Sequence, residues 1–364
     1  MFQFVLVVGA IMALYLAWRC VRVMDNVAKA AKKSARAALK QATQAEQNHF
    51  AETIDRLVAT DDKGNPKLEI RLGTIYELEL IAKNSARNHW TAMEVLTAYV
   101  RENSPWQQQL GSDQAAENRA ARLADKNEEQ QAIVTAVLGR RERHITDIQA
   151  ILTILSRRIR SEKRENDYDN RLDLSGTDLR GAKLKEAHLD RAKFRGAHLE
   201  EAELTWAHLE WADLNGVQLD AADLEKAHLN GALLSGASLE AAKLSEASLK
   251  RASLGCTNLY QADLQEAHLE QAWLVEAKLS RANLTGAHLN EAHLSGADLR
   301  GATLDEAHLD GAFIYTTRLD GVDLGTVKGL TQKQLNEASG DKTTKLPERL
   351  QHPEHWLMES DEEE

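Results

Sequence analysis

Residues 172–199 read LDLSGTDLRGAKLKEAHLDRAKFRGAHL, and this stretch opens a repeat that decides the fold of the chain. From Leu174 to Leu324 a large apolar residue occupies every fifth position in 31 consecutive units, and it is Leu in all of them except Phe194 and Ile314. A small residue, usually Ala, stands two positions before each of these. A period of five fits neither the helix period of 3.6 nor the strand period of 2, so the pattern indicates a solenoid.

A second, longer period predicts how many units close one coil. The tripeptide Ala-His-Leu recurs at 20-residue intervals, with Ser248 as the missing member, and its outward histidines are His188, His208, His228, His268, His288 and His308. Phe194 and Ile314 are 120 residues apart, a multiple of the same interval. Four five-residue units per coil would stack the six histidines on one face, here called the histidine column. Recent duplication of a 20-residue block would produce the same regularity.

The unit A-(D/N/H/K)-L-x-x resembles the pentapeptide repeat family. The resemblance covers residues 172–328, and it implies a right-handed quadrilateral parallel β-helix without catalytic residues. The fold class predicted for the whole chain is therefore an α+β repeat protein, with helical segments before the β-helix. Residues 329–364 resemble the closing segment of related proteins, and they predict a cap with a short helix followed by an acidic tail.

The N-terminal segment has the features of a membrane anchor. Residues 2–18 carry no charge, and this segment is long enough to span a bilayer. We therefore assign residues 1–24 to a transmembrane helix. The basic residues that follow it are Arg19, Arg22, Lys29, Lys32, Lys33, Arg36 and Lys40. By the positive-inside rule they place the remaining chain in the cytoplasm, so we expect a single-pass protein of the inner (plasma) membrane.

Two helical segments separate this anchor from the repeats. Residues 25–60 are Ala-rich and predict a helix, which the sequence DDKGNP at 61–66 ends. Residues 66–166 predict an α-helical region that resembles a segment of bacterial membrane-attached pentapeptide proteins. Its last helix carries Ile148, Ile151, Leu152 and Leu155 on one face. We expect it to cover the first coil, because a solenoid exposes apolar side chains and unpaired backbone at its ends.

The histidine column suggests metal or proton chemistry. Imidazole rings at this spacing could bind a soft divalent ion or titrate together as a pH sensor. A structural metal site normally needs four converging ligands, however, so tolerance of an outward His in a duplicated block explains the row better. We therefore expect no cofactor and no metal, with these six histidines as the candidate ligands if a metal does bind.

A second face gathers exposed apolar residues. Its members, here called the aromatic face, are Leu233, Trp273, His293 and Phe313 in one column, with Val275 and Tyr315 in the column beside it. Clustered apolar side chains on a surface indicate contact with a protein partner, a second copy of the chain, or the protein's own helices.

Charge and composition restrict the function further. Residues 172–328 contain 15 basic and 25 acidic residues, a net charge of −10, and some relatives imitate DNA with an acidic rod that inhibits a type II topoisomerase. Here the negative charge is spread over three faces and the corners instead of being concentrated along one side, so this function is the alternative, and we expect no nucleic acid partner. No catalytic motif is present. The sequence favours a non-enzymatic, membrane-anchored protein that binds unidentified protein partners, with homo-oligomerisation left open.

Overall fold

The computed structural model describes residues 44, 46–57, 68–85, 87–106, 146–157 and 171–357. The chain divides into two compact units, Met1–Ile70 and Arg71–Glu364. In the first unit, residues 46–57 are helical and form helix α1. Within the described residues, none of the helices has the length and apolar character that a bilayer crossing requires. The anchor predicted at residues 1–24 lies outside the described residues.

Three helices of the predicted α-helical region are described: α2, Leu68–Asn84; α3, His89–Asn103; and α4, residues 146–156. Apolar side chains from each of them are buried, and the largest include Ile75, Leu78, Met93, Leu96, Ile151 and Leu155. The face expected on α4 is the face that is buried. His89 Nδ1 lies 3.0 Å from the carbonyl oxygen of Ala82, so this histidine joins α3 to the end of α2.

A buried polar cluster holds these three helices together. Arg71 of α2 lies 3.0 Å from the carboxylate of Asp147 on α4, and both side chains are almost fully buried. The Tyr99 hydroxyl of α3 donates to the same carboxylate over 2.8 Å. Burial, together with the neighbouring Asp147, raises the pKa of Tyr99. The cluster adds a buried charged pair to a contact that is otherwise made by apolar side chains.

From residue 173 onward the chain forms a β-helix with four five-residue units per coil. Outward residues before a Leu form parallel β-bridges with the residue 20 positions later through nearly the whole repeat, as between Asp178 and His198 and between His288 and His308. This spacing confirms the coil that the histidine period predicts. The recurring Leu and Ala side chains point inward, and from Leu174 to Leu324 they are at most 6% exposed. Backbone bonds such as Leu239 N to Asn258 O, at 2.7 Å, join successive coils.

Each corner of the coil requires left-handed backbone. All 30 corner positions from Gly176 to Gly321 have φ between +53° and +71°, and 19 of them are not glycine. A positive φ at this place is typical of a type II turn, and it costs a residue with a Cβ about 1 kcal/mol or more. The coils offset this cost through corner hydrogen bonds, such as that from Glu246 N to Gln265 O at 2.8 Å.

The helices and the segment after α3 cap the first coil. The N–H of Asp178 donates to Ser104 O at 2.7 Å. Gln149 of α4 accepts from the N–H of Lys183 and donates to its carbonyl oxygen, at 3.0 and 2.9 Å, which reproduces the contacts of a neighbouring strand. The N–H of His188 donates to the carbonyl oxygen of Ser156 at 2.9 Å. These contacts satisfy backbone groups that a first coil would otherwise leave unpaired.

The opposite end is closed by the segment after the repeats. Helix α5, Gln332–Leu335, begins with a capping box between Thr331 and Gln334. The Gln334 amide also donates to the carbonyl oxygens of Leu309 and Ala312 in the last coils, at 3.0 and 2.9 Å. A second short helix, α6 (Glu354–Leu357), carries Trp356, which is 4% exposed and donates to Ala338 O at 2.9 Å. The short helix expected in the C-terminal cap is therefore present.

Candidate binding faces of the β-helix

The aromatic face is a continuous stack on the surface. The rings of Trp273 and His293 are stacked with centroids 4.1 Å apart, and those of His293 and Phe313 with centroids 4.5 Å apart. Trp273 is 53% exposed and Phe313 is 52% exposed, so each ring presents about half of its surface to solvent. Leu233 and Tyr315 are also exposed, and Val275 is half-buried. The coil therefore places all the residues predicted for this face on one side of the rod.

This face carries no charged side chain in its central part. The ten outward positions on its two columns from Leu233 to Tyr315 contain no Asp, Glu, Lys or Arg. At a spacing of about 4.8 Å per coil, they extend for roughly 19 Å along the rod. A flat, uncharged surface with large exposed rings has the composition of the centre of a protein interface.

The histidine column forms two separate stacks. In the first stack the His188 and His208 rings have centroids 4.7 Å apart, and those of His208 and His228 are 4.8 Å apart. Ser248 interrupts the column. A second stack joins His268, His288 and His308, with centroid distances of 4.7 and 5.0 Å.

The second stack is accompanied by a carboxylate. Glu270 Oε1 lies 3.1 Å from His268 Nδ1 and 3.0 Å from Lys250 Nζ. Glu270 Oε2 is buried and has no hydrogen-bond partner among the described residues. Potential ligand atoms of His268, Glu270 and His288 all lie within 4.8 Å of one another, and no other trio of His, Cys, Asp or Glu in the described part of the chain is grouped this closely.

The local electrostatics keep the Glu270 carboxylate ionised and disfavour protonation of the central histidine. Burial alone would raise the pKa of Glu270, but a backbone hydrogen bond, Lys250 and His268 together lower it. Burial lowers the pKa of His288, and the neighbouring His268 and His308 lower it further. A neutral ring at the centre of the stack retains a nitrogen lone pair.

A further aromatic cluster near the first coil is not evident from the sequence. Trp106, which follows α3, stacks on His198 with ring centroids 3.2 Å apart, and the Arg180 guanidinium lies 5.4 Å from the Trp106 ring. His198 Nδ1 lies 2.8 Å from Glu200 Oε1. In the sequence, the only sign of this cluster is that Trp106 directly follows Pro105. The contacts with His198 and Arg180 indicate that Trp106 helps to hold the helical cap against the first coils.

Some acidic side chains elsewhere on the rod form ion pairs with basic ones. Ion pairs link successive coils, including Lys226 with Glu246 at 3.3 Å, and Lys328 with Glu306 at 2.7 Å. Within one coil, the Arg300 guanidinium lowers the pKa of Asp298 to about 2 through paired hydrogen bonds. These pairs place positive charge next to negative charge at several points of the rod, while residues 172–328 keep a net charge of −10.

Comparison with known proteins agrees with the coil geometry. The family model described as pentapeptide repeats matches in eight copies, over residues 173–210, 202–240, 212–251, 242–281 and 277–314. HetL, a pentapeptide repeat protein involved in heterocyst differentiation regulation in the cyanobacterium Nostoc, is 31% identical over 48% of this chain and 83% of its own chain. The chain belongs to the pentapeptide repeat family.

Other solved pentapeptide repeat structures are similar over shorter or more divergent stretches. Rfr23 from the cyanobacterium Cyanothece is 40% identical, with 27% of this chain and 63% of Rfr23 covered, so the match spans less than two thirds of that relative. QnrB1, a plasmid-mediated fluoroquinolone resistance protein, is 18% identical over 49% of this chain and 90% of its own. The TM-scores are 0.21 for HetL, 0.23 for Rfr23 and 0.37 for QnrB1. No curated protein sequence matches this chain.

Proposed function

We propose that this pentapeptide repeat protein is a non-enzymatic scaffold, anchored in the membrane by residues 1–24, whose aromatic face binds a protein partner. The observation that carries the proposal is the exposed Trp273–His293–Phe313 stack on an uncharged side of the rod. Large aromatic side chains that become buried on binding contribute most to the affinity of protein interfaces. The uniform five-residue units of the described coils provide no loop that could enclose a substrate, which supports a binding function over catalysis.

Removing the two exposed rings is expected to reduce partner capture strongly. In the Trp273→Ala/Phe313→Ala double variant, each coil keeps its backbone bonds, but the face loses the side chains with the largest apolar contact area. Tagged full-length protein would be crosslinked in membranes of the source organism, purified, and its partners quantified by mass spectrometry. We expect specific partners to fall at least about tenfold, because the loss of an interface aromatic costs about 2 kcal/mol or more.

The matched control removes two exposed aromatics from a different part of the surface. Trp206 and Trp211 occupy corner positions and are 45% and 59% exposed. Their double replacement by Ala removes a comparable exposed area, and it should leave the captured partners unchanged. Equal losses in both double variants, or no loss in either, would contradict the assignment of the aromatic face.

The proposed anchor depends on the uncharged residues 2–18 and the basic residues after them. Full-length protein is expected to stay in the membrane pellet after alkaline extraction, and a chain that lacks residues 1–24 is expected to move to the supernatant. A full-length chain extracted as easily as the shortened one would contradict the anchor, whatever the outcome of partner capture.

The alternative function, an acidic DNA mimic that inhibits a type II topoisomerase, has weaker support. A mimic of duplex DNA should concentrate negative charge along one side of the rod. Here Lys226, Lys328 and Arg300 each pair with acidic residues. The aromatic face is also uncharged. These features favour contact with a protein surface through apolar side chains.

A further inference from the structure

We infer that His268, Glu270 and His288 form a binding site for one zinc ion on the outside of the β-helix. The site lies on the histidine column and is independent of partner binding by the aromatic face. Two imidazoles and one carboxylate are ligands that zinc accepts, and solvent can supply the fourth position.

The distances are compatible with a zinc site once the stacked His268 and His288 rings, whose planes are 11° apart, rotate so that a nitrogen of each points at the ion. Zinc bonds of about 2.0–2.1 Å in tetrahedral geometry place neighbouring ligand atoms roughly 3.3 Å apart. His268 Nδ1 and Glu270 Oε1 are already 3.1 Å apart, and the widest pair of the trio is within 4.8 Å. The His268 side chain is 40% exposed and the coil backbone is rigid, so rotation of the imidazole side chains can close the remaining gap.

The unsatisfied carboxylate oxygen distinguishes this trio from the rest of the histidine column. Glu270 Oε2 is buried without a hydrogen-bond partner, whereas a buried carboxylate oxygen is normally paired. Asn290, one coil further on, is turned away and donates to Asp310 at 3.1 Å. At the equivalent place in the first stack, Asn230 donates to Glu210 at 3.3 Å. The second stack therefore retains a carboxylate that can accept a cation.

Lys250 competes with zinc for this carboxylate. Its Nζ lies 3.0 Å from Glu270 Oε1, and its side chain is 48% exposed, so it can swing into solvent when the ion enters. Removing the ammonium should therefore strengthen zinc binding, while removing a ligand should weaken it. In a nonspecific histidine patch, zinc affinity would not rise on removal of Lys250 and fall on removal of a ligand, and it would not depend on Glu270.

The test measures zinc binding to the full-length protein by isothermal titration calorimetry and native mass spectrometry, with Mg²⁺ as the comparison ion. We expect one zinc ion per chain at this site and no Mg²⁺, because imidazole ligands select zinc over magnesium. Glu270→Gln and His288→Ala should each weaken zinc binding at least about tenfold, since even supporting groups around a metal contribute this much. Lys250→Met should tighten binding.

His208→Ala is the matched control, because it removes a stacked histidine of the first stack. It should leave the zinc affinity unchanged, and zinc should raise the thermal unfolding midpoint of this variant as much as that of the wild type, and that of Glu270→Gln by less. Zinc binding that is absent, that persists unchanged in both ligand variants, or that is lost in His208→Ala would overturn the site. Unchanged affinity in Lys250→Met would show that the Lys250 ammonium does not compete with zinc for Glu270.

Discussion

Replacing Leu234 by Ala is expected to lower the free energy of unfolding by about 2–5 kcal/mol. Leu234 is 1% exposed and lies among the leucines that line the axis of the β-helix. Its removal leaves a void between Leu214 and Leu254, which occupy the same column in the coils on either side. The backbone bonds of the coils prevent collapse around that void. Chemical denaturation followed by circular dichroism measures the loss.

The adjacent residue provides an unusually close control. Leu233 is 43% exposed on the aromatic face, and its peptide group is as firmly bonded to its neighbours as that of Leu234. Leu233→Ala should change the free energy of unfolding by about 0.5 kcal/mol or less, because it removes exposed surface without making a cavity. Equal destabilisation by the two substitutions would contradict the inward and outward assignment along the whole repeat.

Replacing Asp147 by Ala is expected to destabilise the helical cap by about 3–5 kcal/mol. Asp147 is 0% exposed, and its loss leaves the buried Arg71 guanidinium without its counter-charge. The Tyr99 hydroxyl loses its acceptor at the same time. Thermal unfolding followed by the helical circular dichroism signal, together with proteolysis between the helices and the first coil, measures the effect.

Two further variants separate the charge from the hydrogen bond. Tyr99→Phe removes only the hydroxyl and should cost about 1 kcal/mol. Replacing Arg71 and Asp147 together by Leu removes both charges, and it should recover most of the stability lost in Asp147→Ala. If Asp147→Ala costs no more than Tyr99→Phe, the ion pair does not hold the cap together.

The β-helix could be predicted from sequence because the same short pattern of inward and outward residues recurs in every coil. A Leu in every fifth place and a 20-residue histidine period determine which side chains face inward and which ones stack. The left-handed corners were not evident, because Glu246 and Trp211 occupy them as well as glycine. The corner conformation is imposed by the turn and its inter-coil bonds rather than by residue preference.

The helical cap was only partly predictable, because its key contacts are distant in the chain. An apolar pattern places Leu72 and Ile81 on the buried face of α2, but both are half-buried and Arg71 is buried instead. The burial of Arg71 depends on Asp147, 76 positions away. Hydrophobic periodicity contains no information about such a pair.

For the binding faces as well, the course of the backbone could be predicted from the sequence, but the orientations of individual side chains could not. The columns of aromatic and histidine residues follow directly from the 20-residue period. The special environment of Glu270 does not, because it depends on Lys250 reaching the carboxylate and on Asn290 turning toward Asp310. Those orientations are properties of side-chain packing on neighbouring coils.

Site-specific photo-crosslinking tests partner binding by the aromatic face most directly. A photoreactive phenylalanine derivative would replace Trp273 in the full-length protein in living cells, and the same derivative would replace Trp211 in a parallel culture. The proposal predicts a discrete adduct with another protein from position 273 and none from position 211. The absence of an adduct from position 273, the same adducts from both positions, or an adduct between two copies of this chain would contradict it.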